Sequence, residues 1–285
     1  MTIELLPPRS QSLWGSPAVA NFTLGGLGAG LYAAAALAAG LGPSPAVTTA
    51  AWLGPALVLG GFAAVASESG RPFRGARVLA RLRSSWMSRE LWVGGGFVLL
   101  AAAGELAGGA PWQRGLAVLA ALATAASQGF ILRHARGVAA WDRPMMPFVF
   151  LLSALVSGGG LLVLTELAAG RRPGHALLRA LLLLLALDAI AWGVLVAPGR
   201  DEAVTRATRP LREAPALAAV LGGGHLLPFL LVAIAAPPST GAELLALGAV
   251  LAIGGQVCAK AALILMAGQL RPITIPRLGA HGRPS

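Results

Sequence analysis

Two glutamates at the ends of apolar segments are the residues of this sequence best placed for proton chemistry. Glu68 closes the second apolar stretch and Glu90 opens the third, with a polar connector between them. Because consecutive helices of a bundle joined by such a connector run antiparallel, both carboxylates are expected at the same face of the bundle. A carboxylate at a helix end is commonly a solvated cap, whereas two carboxylates beside a buried pocket can pass protons. Both interpretations remain open from these residues alone.

Three further ionisable residues lie inside apolar stretches. Asp188 is near the middle of the sixth, His225 near the middle of the seventh, and Lys260 towards the end of the eighth. Such residues are rare within a bilayer and usually pair with one another or line a water path. The alternatives are an Asp188–Lys260 ion pair that holds helices together, a proton conduit, or the coupling site of a secondary transporter near the membrane midplane.

The elements that must position these residues are eight apolar stretches of membrane-spanning length. About 20 apolar residues in a helix cross a hydrocarbon core of about 30 Å. The sequence therefore predicts an all-α fold, a polytopic transmembrane bundle of eight helices. It forms a single membrane domain over residues 1–285, which the connector 133–146 would divide into two four-helix halves. The predicted spans are 17–40, 46–66, 91–109, 115–132, 147–169, 177–197, 216–236 and 242–266.

Composition restricts the chemistry that the chain can perform alone. Apolar residues make up 56% of the chain and charged residues 12%, against about 25% charged residues in soluble domains. The single cysteine, Cys258, excludes an internal disulfide and an iron–sulfur cluster held by this chain. One of the four histidines falls within a span, so neither a haem with two axial histidines nor a metal site is predicted. Electrons for any redox reaction would have to come from another protein.

The arginines are distributed unequally between the two faces of the predicted bundle. Of 21 arginines, 17 fall on one face, which we call the arginine-rich face, and 4 on the other. The positive-inside rule places the arginine-rich face, and with it both termini, in the cytoplasm. This predicts a multi-pass protein of the bacterial cytoplasmic (inner) membrane. Nucleic acid is not a predicted partner, because no aromatic residues that could stack on bases alternate with the arginines.

The connector 67–90 has the pattern of an amphipathic helix. At 100° per residue Arg74, Arg77 and Arg81 gather on one side, and Arg83 is the exception. Leu79, Leu82 and Trp86 gather on another side. The pattern predicts a short helix between Arg71 and Trp86, lying at the membrane interface. Its basic side could hold anionic lipid headgroups or dock a partner with an acidic surface. The predicted docking residues are Arg71, Arg74, Arg77 and Arg81.

Three stretches of the sequence resemble a known family of membrane proteins. They are S-E-S-G-R-P-F-R at 67–74 with S-S-W-M-S-R-E at 84–90, W-D-R-P-M-M-P at 141–147 running into F-L-L-S-A at 150–154, and the first span with Trp14, Asn21-Phe22 and its glycines. In order and placement they resemble the NrfD-like anchors, the integral membrane subunits of dimethyl sulfoxide reductase, polysulfide reductase and their relatives.

The resemblance implies a membrane anchor without haem or iron–sulfur cluster of its own. Such an anchor docks a ferredoxin-like four-cluster iron–sulfur subunit, which connects a molybdopterin catalytic subunit to a quinone (ubiquinone or menaquinone) bound in the anchor. By position, Glu90 matches the carboxylate needed for quinol chemistry, Glu68 a second proton-transfer position, and Asn21 a polar residue near the headgroup. The sequence departs from the family late in the fourth span, where a quinone-binding tyrosine is expected and His134 is the candidate contact instead.

The segment 5–15 is also similar to anchors associated with phenylacetyl-CoA:acceptor oxidoreductases. That subfamily implies a cytoplasmic CoA ester as the substrate of the catalytic subunit, with electrons passing from the substrate to quinone.

Overall fold

The computed structural model describes residues 2–40, 42–68, 76–237 and 241–276. In this part of the chain nearly every element is a helix. The helices are α1 (Ser16–Ala38), α2 (Pro45–Glu68), α3 (Ala76–Leu79), α4 (Trp86–Leu106), α5 (Pro111–His134), α6 (Met146–Ala168), α7 (His175–Val196), α8 (Glu202–Ala207), α9 (Ala214–Ala235) and α10 (Ala242–Met266). Short 3₁₀ turns lie at Ala139–Trp141 and Arg209–Arg212.

Seven of the described helices are long and apolar enough to cross a membrane: α1, α2, α5, α6, α7, α9 and α10. The chain is thus an all-α, multi-pass helical membrane protein. The predicted third span, 91–109, corresponds to α4, which has 21 residues but does not reach the same hydropathy. The charged residues Arg89, Glu90 and Glu105 fall inside it and lower its apolar content.

Helix α1 is the centre of the bundle and packs against α2, α5, α6 and α10. Its approach to α6 is so close that a Cβ atom on Gly30 would fall on the carbonyl oxygen of Ala154, and one on Gly158 would fall on the backbone at Gly30. The glycine-rich stretch at 158–160 therefore packs helices together, as small residues do in membrane bundles. The contact also crosses the connector 133–146, so the two predicted halves share a continuous interface.

Two helices contain π-helical segments that the apolar pattern does not predict. In α9 the segment Ala218–Leu226 is π-helical, and in α10 the segment Ala262–Met266 is. A π turn has i→i+5 hydrogen bonds and changes which side chains face a neighbouring helix. His225 lies in the first of these segments, so its direction differs from that in a regular α-helix.

The two ends of the described chain meet at one face of the bundle. Strand β1 (Thr2–Leu6) pairs antiparallel with β2 (Ile273–Pro276), with an irregularity between Glu4 and Leu6. Further along, the N–H of Gln11 donates to the carbonyl of Gly268 at 2.7 Å. Both described ends therefore lie on the same side of the bundle.

Candidate functional site

Glu90 is buried at the point where α1, α4 and α5 meet. Ser85 is the N-cap of α4, because its side chain accepts a hydrogen bond from the N–H of Ser88. Glu90 follows in the next turn. Glu90 is 4% exposed. Its Oε1 accepts hydrogen bonds from Nδ2 of Asn21 at 3.3 Å and from Nε2 of Gln128 at 3.1 Å. Two amides from neighbouring helices thus fix one oxygen of this carboxylate.

The other carboxylate oxygen of Glu90 has different surroundings. Within the described part of the chain, no hydrogen bond reaches Oε2. The amide oxygens of Asn21 and Gln128 are likewise buried without a partner there, since both amides turn their NH₂ groups towards Glu90. One oxygen of Glu90 is therefore held by the protein, and the second is available to another group.

A cavity of about 280 Å³ lies directly against Glu90. Asn21 and Glu90 are the polar side chains of its wall, and Trp14, Phe22 and Phe62 supply aromatic rings. The remaining wall residues are Ala18, Val65, Ala66, Val78, Met87, Leu91 and Ile131. A mostly apolar cavity with a few convergent polar groups is the usual form of a small-molecule site. Its volume is near the lower end for such sites, which suits one ring system.

The N-terminal segment supplies the Trp14 side of this cavity. The side-chain oxygen of Gln11 accepts hydrogen bonds from the backbone N–H groups of Leu13 and Trp14, at 2.9 and 2.8 Å. The indole of Trp14 stacks on Trp141, with ring centroids 5.1 Å apart, and lies 5.8 Å from Phe22. Gln11 therefore folds the chain so that an aromatic ring lies against the first turns of α1.

His134, the predicted substitute for a headgroup-binding tyrosine, does not line the cavity. Its Nε2 accepts a hydrogen bond from the indole N–H of Trp86 at 3.2 Å, and its Nδ1 lies 3.0 Å from the carbonyl of Phe130. Trp86 also stacks on Phe130 with centroids 4.2 Å apart. These contacts assign the neutral Nδ1–H form to His134 and a role in holding the start of α4 against the end of α5.

Glu68 is the last residue of α2, and its side chain lies outside the described residues. The preceding turn of α2 reaches the cavity through Val65 and Ala66. The end of α2 and the start of α4 are thus at the same end of the bundle, as the sequence predicts. The relay between the two carboxylates stays a prediction.

The predicted amphipathic helix between Arg71 and Trp86 is wrong over the described residues. Helix α3 ends at Leu79, and the chain turns through 80–84 before α4. Side chains of α4 bind the carbonyls that a continuous helix would use, because Trp92 donates to Leu79 at 3.0 Å and Arg89 donates to Leu82 and Arg83 at 3.0 and 2.8 Å. Of the predicted docking residues, Arg81 is exposed in this turn. Arg71, Arg74 and the side chain of Arg77 lie outside the described residues.

The three intramembrane ionisable residues do come together, in a different pairing from the predicted one. Nε2 of His225 lies 3.0 Å from Oδ2 of Asp188, and Nε2 of Gln256 lies 3.3 Å from the same His225 nitrogen. Lys260 donates instead to the hydroxyl of Ser153 at 2.5 Å. The predicted Asp188–Lys260 ion pair is therefore wrong, because the π-helical segment of α9 brings His225 to Asp188.

The sequence-based prediction does not include Gln128, Gln256 and Ser153, because apart from Asn21 it rests on the ionisable residues. Gln128 and Gln256 are 0% and 2% exposed. A buried amide costs free energy unless it is hydrogen-bonded, so a glutamine in a predicted span is itself a signal of a polar cluster.

A larger apolar groove lies towards the opposite face, between α1, α6 and α7. It has a volume of about 690 Å³, and Glu166 and Arg171 stand at its edge. These two residues already bind each other through two hydrogen bonds of 2.8 and 2.9 Å. The charged groups of this groove are thus already hydrogen-bonded to each other. In the cavity beside Glu90, by contrast, one carboxylate oxygen receives no hydrogen bond from the described residues.

Connectors of the arginine-rich face are tied together by Arg271. Its guanidinium binds Asp201 at 2.7 Å and Asp142 at 3.1 Å. Asp201 also caps α8 by accepting hydrogen bonds from the N–H groups of Ala203 and Val204. Burial raises the pKa of Asp201, but the hydrogen bonds from Arg271 and from these two N–H groups outweigh burial and hold the pKa below its ordinary value. The connectors 133–146 and 198–213 thus form an ordered surface with the segment after α10.

Comparison with known proteins adds no relative, because no family model matches the chain and no curated protein matches it. Within the described residues, no group of three or more histidine, cysteine, aspartate or glutamate side chains is arranged to hold a metal ion.

Proposed function

We propose that this chain is the quinone-reactive membrane anchor of a multisubunit oxidoreductase of the NrfD-like kind. The cavity beside Glu90 holds the quinone headgroup, and the arginine-rich face docks a ferredoxin-like iron–sulfur subunit that carries electrons from a molybdopterin catalytic subunit. The observation that supports this most directly is the Oε2 atom of Glu90, which receives no hydrogen bond from the described residues and belongs to a carboxylate in the wall of an aromatic cavity.

The composition of the cavity suits a planar ring with oxygen atoms at its edge. Phe22 and Phe62 offer apolar and aromatic surface to the ring, while Glu90 offers a carboxylate to a ring oxygen. Reducing a quinone takes two electrons and two protons, and oxidising a quinol releases the same number. A carboxylate that gives or takes a proton at the ring oxygen acts as a general acid or base. Asn21 and Gln128 keep it oriented for that transfer.

Electrons for this reaction come from the partner. The cavity lies at the same end of the bundle as the start of α4 and the end of α2, so a subunit docked on the arginine-rich face is close to it. The surface tied together by Arg271 offers a fixed basic and polar platform for such a subunit.

The proposal includes a topology of eight spans. Helix α4 supplies the eighth crossing, and its charged residues lie in its first two turns and in its last turn. An even number of crossings agrees with the pairing of β1 and β2 at one face. The 17 arginines predicted for that face favour a cytoplasmic location, in a bacterium, for it and for both termini. The catalytic subunit then acts on a cytoplasmic substrate, such as a CoA ester.

A binding experiment on the purified chain tests the quinone site. The chain in lipid nanodiscs is titrated with a short-chain ubiquinone and, separately, with a short-chain menaquinone, and quenching of tryptophan fluorescence is measured. Trp14 lies in the cavity wall, so a bound quinone should quench it saturably. Ala18→Phe puts a phenyl ring into the cavity and should weaken binding at least tenfold.

The matched control is Ala233→Phe, at an exposed position of α9, which should bind quinone like the unaltered chain. Linear, non-saturable quenching by both quinones would contradict the proposal. So would equal affinity in the Ala18→Phe and Ala233→Phe chains.

A secondary transporter is the second candidate, favoured by the buried Asp188–His225 pair at the middle of α7 and α9. In that case Asp188, His225 and Lys260 form the coupling site. Purification from the native membrane distinguishes the two, because an anchor travels with iron–sulfur and molybdenum subunits and a transporter does not.

A further inference from the structure

A second polar cluster lies deep in the bundle, on helices α6, α7, α9 and α10. Its ionisable members are Asp188, His225 and Lys260, which are 2%, 3% and 3% exposed. None of them lines the cavity beside Glu90. The quinone reaction proposed above makes no use of this cluster, and burying three ionisable groups in an apolar bundle costs free energy.

The hydrogen bonds of His225 show how many protons the cluster holds. Its Nδ1 faces the carbonyl oxygen of Val220 at 2.7 Å, and its Nε2 faces Oδ2 of Asp188 at 3.0 Å. The Val220 oxygen can only accept a hydrogen bond, so Nδ1 carries a proton. The contact with Asp188 needs a second proton, either on Nε2 or on the carboxyl group, because two lone pairs would otherwise face each other.

Gln256 makes the position of that second proton adjustable. Its amide nitrogen lies 3.3 Å from the same Nε2 of His225. If Nε2 carries the proton, it donates to Asp188, and the Gln256 amide must turn its oxygen towards it. If Asp188 carries the proton, Nε2 accepts from the Gln256 NH₂ group as it stands. Both arrangements have the same number of protons, so the proton can move between the two side chains.

The net charge of the cluster makes one proton exchangeable. With Asp188 ionised and both His225 and Lys260 protonated, three buried groups carry a net charge of +1. Loss of one proton brings that charge to zero, which a low-dielectric interior favours. Oδ1 of Asp188 is buried without a partner in the described part of the chain, and a buried polar atom without a hydrogen bond costs free energy.

The charged and polar groups that face this cluster come from all four helices. Helix α6 contributes Ser153, which binds Lys260, and α10 contributes Gln256. Arg143 and Arg212 bind the carbonyls of Val194 and Val196 on α7. These carbonyls are six and eight residues beyond Asp188, about 9 and 12 Å along the helix axis. Arg179 lies on α7 itself, nine residues before Asp188, and binds the carbonyl of His175. The charge balance around Asp188 and His225 is therefore set mainly by the side chains of the cluster itself.

The backbone is built to hold this arrangement. The π-helical segment of α9 contains both Val220 and His225, five residues apart. A Cβ atom on Gly224 or on Gly255 would collide with the other helix, so α9 and α10 approach closely beside His225 and Gln256. Irregular π segments occur often at functional sites.

We propose that Asp188 and His225, with Lys260 beside them, form a proton-exchange site inside the bundle, separate from the cavity at Glu90. In the loaded state a proton is shared between Nε2 of His225 and Oδ2 of Asp188. In the unloaded state that proton has passed to water, the contact between Nε2 and Oδ2 opens, and Nε2 accepts from the NH₂ group of Gln256. The carboxylate of Asp188 is then balanced by the charge of Lys260. The cluster takes up and returns one proton, with no electron transfer.

Nitrogen NMR of the histidines tests this site in the unaltered chain. The chain is labelled with ¹⁵N at its histidine rings, placed in nanodiscs and titrated between about pH 5 and 8, where imidazole protonation changes are sought. His225→Gln identifies the His225 signals by their loss, and His175→Gln, at an exposed position, is the matched control. We expect the His225 Nε2 shift to move through one titration step.

Two variants show whether the neighbours share the proton. Asp188→Asn removes the carboxylate and should abolish the titration step of His225 or move it to lower pH. Lys260→Gln removes the competing positive charge and should move the step to higher pH. Size-exclusion profiles and helical circular dichroism check that each variant is folded.

A constant His225 shift across the titration would overturn the proposal and leave a fixed structural pair. A titration unchanged by Asp188→Asn or by Lys260→Gln would also overturn it, because His225 would then titrate alone. If Asp188→Asn does not fold, the unaltered chain and Lys260→Gln still decide. The test needs neither quinone nor a partner subunit, so its result is independent of the proposed quinone site.

Discussion

Replacing Glu90 with glutamine separates the two tasks that its carboxyl group performs in the proposed mechanism. Glutamine has the same shape, and its side-chain oxygen can still accept the hydrogen bonds that Asn21 and Gln128 give to Oε1 at 3.3 and 3.1 Å. The free Oε2, however, becomes an NH₂ group that has no proton to exchange. We therefore expect Glu90→Gln to keep the fold and the binding of quinone but to lose proton transfer.

The expected loss is that of a general acid or base. Removing such a group slows turnover by about 10²–10⁴-fold, which corresponds to roughly 3–5 kcal/mol in the activation free energy. The assay is quinone-coupled turnover of the purified complex, with kcat and KM determined separately. The loss should fall on kcat, and KM should change little, because glutamine keeps the shape of the Glu90 side chain in the cavity wall. An artificial soluble acceptor, which takes electrons directly from the catalytic subunits, should give unchanged activity.

Two results would refute this reasoning. Unchanged quinone-coupled kcat in Glu90→Gln would place the proton transfer elsewhere. Equal loss with quinone and with the artificial acceptor would show that Glu90 maintains the assembly and does not take part in the reaction. Glu243→Gln, at an exposed position of α10, is the matched control for the removal of a carboxylate.

Three further predictions concern the bundle and its faces. Gly30→Ala should destabilise the protein by about 1–3 kcal/mol, because a Cβ atom at this position meets the α6 backbone. Gly95→Ala is the control, because a Cβ atom there meets nothing within 4 Å. Equal melting temperatures of the two variants in detergent would contradict the close packing of α1 against α6. Arg271→Gln should release the segment after α10, giving faster hydrogen exchange there. The pKa of Asp201 is lowered in the folded state, so the stabilisation by its ion pair with Arg271 is present above the unfolded pKa and is lost as pH falls through the folded pKa. Acid should therefore release the same segment in the unaltered chain. Hydrogen exchange that does not respond to acid would contradict this role of Asp201. Reporter fusions at the C-terminus and within 170–174 should give opposite signals, and a periplasmic C-terminus would reverse the orientation.

The apolar pattern predicted the helices well because hydrophobic length is a local property. Seven of the eight predicted spans correspond to helices that meet the criteria of length and hydropathy. The remaining one, α4, shows why the pattern weakens at a site, because Arg89 and Glu90 lower its hydropathy where it approaches the cavity.

Contacts between side chains were harder to predict because they depend on helix register. The resemblance assigns Asn21 and Glu90 to one quinone site, which stays a prediction, and in the structure Asn21 donates a hydrogen bond to Glu90. Asp188 was expected to pair with Lys260 because of their opposite charges. Instead, His225 in the π-helical segment of α9 is the partner of Asp188. A pattern based on 100° per residue assumes a regular α-helix and does not allow for the altered direction of side chains in a π-helical segment.

The failure of the predicted connector helix has a similar physical origin. In the continuous helix that the amphipathic pattern predicts, the backbone carbonyls near Leu79 and Leu82 would accept hydrogen bonds from N–H groups of the next turn. Arg89 and Trp92 bind those carbonyls instead, and their positions are set by α4. Competition between a side chain far along the sequence and the local backbone is not visible in helical periodicity.

The contact between the two ends of the chain has a consequence for biogenesis. Thr2–Leu6 is synthesised long before Ile273–Pro276, yet the two strands pair with each other. Leu270 also donates to the carbonyl of Arg9 at 2.7 Å. Strand β1 therefore stays without this partner until all the helices between it and β2 have been synthesised. This part of the surface then forms only after Ile273–Pro276 has been synthesised, so a protein that binds it distinguishes chains that contain both strands from shorter nascent ones.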